Sequence, residues 1–191
     1  MKYLKPLILT LVLLFAFSIN IDAQQHLNFM KIPIDGKIDD FQKQLYSKGF
    51  LPETEYNKKL PFGQRAFSGK IKGRSCILMV FYTKTKTVFR VKLGYQFYSS
   101  ESSIKYFNEE KDSLSKLYIY AKTNLKKEGA DLKYHFDIYK SNDYSANNSL
   151  GDIELILSPY KENGITYYNV MFDYVDFDNV FTYIKENPSI L

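Results

Sequence analysis

The dipeptide Asn163-Gly164 limits the possible folds of this chain more than any other feature. It stands between two apolar-rich runs, Asp152 to Pro159 and Thr166 to Asp176, the second rich in aromatic residues. A two-residue Asn-Gly link takes a turn of the primed type, whose twist matches that of paired antiparallel strands. An antiparallel sheet is therefore expected, and the second run puts Tyr168, Val170, Phe172 and Tyr174 on its inward face. Further strands follow from the same alternation. Phe89, Val91, Leu93, Tyr95 and Phe97 face one way while Arg90, Lys92 and Gln96 face the other, and Leu132, Tyr134, Phe136 and Ile138 form another inward set. Arg65 to Lys72 and Cys76 to Tyr82 complete the strands; the second is apolar without a break and predicts a position covered on both sides.

Two helical stretches break the strand pattern. Ile38, Phe41 and Leu45 recur at three and four residues after Asp35, a candidate cap, and Gly49 supplies a left-handed stop. The serines at 99, 100, 102 and 103 open a second helix. Its stripe of Ile104, Phe107, Leu114, Leu117, Tyr118, Ala121 and Leu125 predicts a helix over 103–128, closed by Gly129, with Leu117 and Ala121 buried. Asp178 is a candidate cap for a last short helix ended by Asn187-Pro188, and His26 to Ile34 reads as one short strand. The expected fold class is α+β: an antiparallel sheet with helices packed on one face, a pattern that two tandem αβββ units over 36–98 and 99–176 also satisfy. One sheet face should be left partly open.

The first residues are of another kind. Lys2 and Lys5 precede an apolar run from Leu7 to Ile19, and Ile21-Asp22-Ala23 ends on a small residue. This is the pattern of a cleavable signal peptide over 1–23, leaving a single domain over 24–191. The run is too short for a membrane span, which needs about 20 residues. No cysteine follows the junction to accept a lipid, so the expected address is periplasmic or secreted. Cys76 is the only cysteine, so no intramolecular disulfide can form, and its apolar surroundings predict a buried, unreactive thiol.

Chemical motifs are few. Two histidines do not make a metal site, the acidic stretch Asp173 to Asn179 departs from the calcium-loop pattern at Val180, and no nucleophile elbow or phosphate-cradling glycine loop is present. No metal and no cofactor are expected. His135 and Asp137 point the same way from one strand, an acid-base pair that a small hydrolase or lyase could use. Charge is segregated: residues 51–98 carry +8, residues 99–191 carry −5, and the whole chain carries +5. So small a total does not suggest nucleic acid as a partner. Lys70, Lys72, Arg74, Arg90 and Lys92 are the candidate ligand-binding residues, with Lys84 and Lys86 near them. On neighbouring strands they would give a Tyr/Lys/Arg-rich sheet face suited to an envelope protein or an anionic glycan. The function expected is that of a non-enzymatic binding or envelope-adaptor protein.

The segment Ile32-Pro33-Ile34-Asp35-Gly36, followed by Ile38, Phe41, Leu45 and Lys48-Gly49-Phe50, resembles the opening of a family of exported proteins of Bacteroidetes-type bacteria. Phe67-Ser68-Gly69 fits the same pattern. The resemblance implies export and carries no assigned activity or functional residues. The order of elements is also similar to that of the β-lactamase-inhibitor-like fold, whose exported members bind proteins by a sheet face.

Overall fold

A computed structural model describes residues 26–128 and 130–188. The predicted signal peptide and the Gly129 stop lie outside the described residues. The strands are β1 (Asn28–Phe29), β2 (Ile32–Pro33), β3 (Leu51–Pro52), β4 (Gln64–Ile71), β5 (Arg74–Tyr82), β6 (Val88–Phe97), β7 (Ala121–Glu128), β8 (Asp131–Tyr139), β9 (Ser149–Glu162) and β10 (Ile165–Asp176). The helices are α1 (Ile38–Ser47), α2 (Thr54–Asn57), α3 (Ser100–Leu117) and α4 (Phe177–Glu186). Strands β3 to β10 form one antiparallel sheet in the order β3-β4-β5-β6-β10-β9-β8-β7. The β9–β10 hairpin turns at Asn163 and Gly164, whose φ values of 49° and 81° are those of the primed turn. Its long ladder carries β10 alongside β6, and this pairing joins the first half of the chain to the second.

One face of this sheet is the core. Phe67, Leu78, Val80, Val91, Leu93, Tyr95, Val170, Phe172, Leu155, Ile153, Phe136 and Ile138 are buried there in one cluster with residues of α1 and α3. Helix α1 contributes Ile38, Phe41 and Leu45, as their spacing predicts, though its N-cap is Lys37 without a side-chain cap rather than Asp35. The hairpin β1–β2 replaces the single strand expected over 26–34, because Met30 and Lys31 both take positive φ and reverse the chain. It inserts Phe29 edge-on to Tyr174 and Phe50, and Tyr118 Oη donates to Asn28 O at 3.1 Å. Phe50 in turn lies over Gly69, where a Cβ would stand 2.7 Å from the Phe50 ring. The sequence fragments Lys48-Gly49-Phe50 and Phe67-Ser68-Gly69 thus meet as ring and seat.

Helix α3 ends at Leu117, eleven residues before the predicted end. Its buried face is Ser103, Phe107 and Leu114. Leu117 is 68% exposed and Leu125 58%. Residues 121–128 instead pair with β8 along its length. The spacing of Leu114, Tyr118, Ala121 and Leu125 suits a helix, but Ala121, Thr123 and Leu125 alternating with Lys122, Asn124 and Lys126 suits an amphipathic strand as well. An otherwise unpaired edge of β8 decides between them, since each strand residue adds ladder hydrogen bonds. The second helix-and-strand unit accordingly has four strands where three were expected. Strand β5 also departs from its reading: Ile77 is 49% exposed and Cys76, Leu78 and Val80 are buried, so only one of its faces is covered. The cap of α4 is Asp176, which accepts from Asn179 N at 3.1 Å, and not Asp178.

Candidate functional site

The second face of the sheet is the candidate site, and its layout follows from the strand register. Directly opposed residues form rows that cross the strands. One row runs Leu51, Ser68, Ile77, Gly94, Met171 and Ile156, from β3 through β4, β5, β6 and β10 to β9. Apart from Ser68 it is apolar. The next row on the same face is polar, with Asn169 opposite both Gln96 and Ser158, and Lys70 opposite Ser75. The row on its other side is charged: Lys92, Asp173, Glu154 and His135.

Gly94 makes a dip in this relief. It lies in the interior of a central strand whose register is regular on both sides at that point. A Cβ there would meet nothing closer than Ile77 O and Met171 Cγ at 4.0 Å. Around it opens a groove of about 880 Å³ with Leu51, Ile77 and Met171 as apolar walls and Lys48, Lys70, Gln96 and Asn169 among its rim. Among the described residues Lys48 and Lys70 form no ion pair. Cys76 also borders the groove; its thiol is buried, donates to Gly69 O at 3.5 Å, and has its pKa pushed up by that burial.

The sequence-predicted cations are dispersed and mostly neutralised. Lys72 and Arg74 stand at the β4–β5 turn, where Lys72 pairs with Glu110 at 3.1 Å and Arg74 lies over the rings of Phe97 and Tyr106. Arg90 and Lys92 lie toward the opposite end of the sheet and share Asp173. The Arg90 guanidinium donates through Nε at 2.7 Å and through Nη2 at 2.5 Å, and Lys92 Nζ is 3.2 Å away. Asp173 is almost fully buried, and its carboxylate holds the Arg90 pKa above its usual value. Lys84 donates to the carbonyl of Glu186 at 2.8 Å, and Lys86 sits 3.9 Å from Asp39. Lys70 alone of the five candidates borders the groove.

His135 and Asp137 do meet. His135 Nε2 is 3.0 Å from Asp137 Oδ1, and Nδ1 is 3.6 Å from Glu154 Oε1. Beside them Asp152, opposite Asp137 in the register, has its carboxyl pushed up to about 6. Burial is the main cause; the carboxylates of Glu154, Asp173 and Asp137 add to it, and His135 works against it. These side chains form one hydrogen-bonded and charged cluster on the open face, and none of its members borders the groove. Among the described residues no set of three or more His, Cys, Asp or Glu side chains is placed to hold a metal ion. No helix among them is long and apolar enough to cross a membrane.

Sequence reasoning did not single out Gly94, Ile77, Met171, Leu51 or Lys48. One signal for the groove was present: a glycine in the middle of the strand with the cleanest alternation, where it weakens the strand and marks a bulge or a close approach. No protein-family model, curated protein or solved structure matches the chain.

Proposed function

We propose that this chain is an exported, non-enzymatic binding module of the periplasm or the exterior that takes an anionic ligand on the open face of its sheet. The observation that carries this reading is the groove over Gly94. A residue that costs strand stability stands where a ligand can approach the backbone, and around it are apolar walls and rim lysines that form no ion pair among the described residues. Export rests on the pattern Lys2, Lys5, Leu7 to Ile19 and Ala23 and on the resemblance of the segment from Ile32 to Phe50. The sequence-predicted cation set contributes through Lys70, while Lys72, Arg74, Arg90 and Lys92 serve the scaffold through their partners. An envelope protein or anionic glycan remains the broader partner class.

The test is capture from the native cell envelope by wild-type protein and by Gly94→Phe. The variant fills the groove without backbone strain, because the Cβ position is open. Wild type should retain a ligand that Gly94→Phe loses at equal thermal stability; equal retention by both, or by neither, refutes the reading. A second reading, a small hydrolase or lyase, draws on the His135–Asp137 hydrogen bond and the raised Asp152. Turnover of ester or glycan substrates that disappears in His135→Ala would favour it over the binding role.

A further inference from the structure

The geometry points to a ligand class for this groove: a single long acyl chain bearing an anionic head, lying across the strands with its head at Lys48 and Lys70. This deepens the binding role proposed above and rests on it. The shape of the strip fits such a chain. The row from Leu51 to Ile156 crosses six strands, so at about 4.8 Å per strand spacing it extends roughly 24 Å, comparable to an extended long-chain acyl group. On one face of a strand, neighbouring rows lie about 7 Å apart, so the apolar strip has the width of one hydrocarbon chain. Polar residues border it on one side and charged residues on the other.

Hydrogen bonding favours the same class. At Ser68, Ile77, Gly94 and Met171 the floor strands pair with neighbours on both sides, so their amide and carbonyl groups are engaged in ladders. A peptide or sugar pressed onto this strip would surrender its hydrogen bonds to water and find few replacements, a costly exchange. A hydrocarbon chain surrenders none. Charge then sets the direction. The rim cations Lys48 and Lys70 are at the Leu51 end of the groove and lack ion-pair partners among the described residues, whereas Lys92, deeper along the sheet, is already paired to Asp173. Lys133, which follows Ile156 in the register, is itself engaged, so an anionic head belongs at the Leu51 end and the chain extends over Gly94 toward Met171 and Ile156.

The probe is sodium dodecanoate below its micellar range, titrated calorimetrically into the protein, with the dodecyltrimethylammonium ion as a control of equal chain length. Wild type should bind one dodecanoate per chain and the cationic control at least tenfold more weakly. Gly94→Phe should lose binding at least thirtyfold with an unchanged melting temperature, and Lys48→Glu/Lys70→Glu should weaken dodecanoate at least tenfold and erase the preference over the cation. Absence of saturable binding, equal affinity for both head groups, or undiminished binding by Gly94→Phe overturns the inference. Should envelope capture depend on Gly94 while dodecanoate fails to bind, the acyl assignment falls and the binding role stands. Should neither depend on Gly94, both fall.

Discussion

Replacing Asp152 by asparagine is expected to stabilise the protein, and only at pH values where the aspartate is charged. Asp152 has its carboxyl moved from 3.8 to about 6, chiefly by burial and further by the carboxylates of Glu154, Asp173 and Asp137. Between these values the folded state holds a proton that the unfolded chain has released. Stability therefore falls as pH rises through that window, and the cost is fully present above about 6. Counted in full, the displacement amounts to about 3 kcal/mol at roughly 1.4 kcal/mol per pKa unit. Asp152 is only half-buried, and water on the open face screens its neighbours, which reduces the figure to about 1 kcal/mol. Asparagine keeps the size and polarity of the side chain and never ionises. Urea unfolding at pH 8 should place Asp152→Asn about 1 kcal/mol above wild type, a difference that shrinks several-fold by pH 4. The comparison cancels Asp176, another carboxyl raised by burial. A variant less stable than wild type at pH 8, or a gap that ignores pH, refutes this account of the charged row.

Four further substitutions check the packing. Leu114→Ala should cost about 2 to 5 kcal/mol, while Leu117→Ala, three residues along the same helix but exposed, should cost about 0.5 or less in the same thermal melts. Arg90→Ala, although on the open face, should cost about 1 to 3 kcal/mol because it leaves the buried Asp173 carboxylate with Lys92 as its remaining cation; a neutral result in denaturant titration contradicts the forked pair. Asp176→Ala removes the acceptor for Leu27 N at 3.0 Å and for Asn179 N at 3.1 Å, and should cost about 2 to 4 kcal/mol, read as a lower unfolding midpoint.

Period-two alternation made the sheet legible: the strands holding Phe97, Phe136 and Val170 face inward as their patterns predict, and Asn163-Gly164 turns as its residue types require. Alternation fails where a segment satisfies two periods at once. Residues 121–128 fit both helix and strand, and the free edge of β8, a tertiary fact, settles the matter. Continuous apolar character misled at Ile77, because an exposed apolar residue in a groove reads like a buried one. The charge cluster was legible as composition but not as a site. Local sequence places Lys70, Lys72, Arg74, Arg90 and Lys92 near one another, while the partners that neutralise most of them, Glu110 and Asp173, come from distant parts of the chain. Gly94 stands in plain view in the sequence; its meaning depends on neighbours in β5 and β10 that only the register supplies.

Methyl resonances offer the most direct test of the claim that the open face carries the site. In a titration of methyl-labelled protein with dodecanoate, shifts are expected at Leu51, Ile77 and Met171, which share one row of the open face and wall the groove, with Ile38, Ile138 and Ile153 in the core unmoved. Shifts centred on the core face or on α3, or none at ligand concentrations that saturate a micromolar site, contradict it.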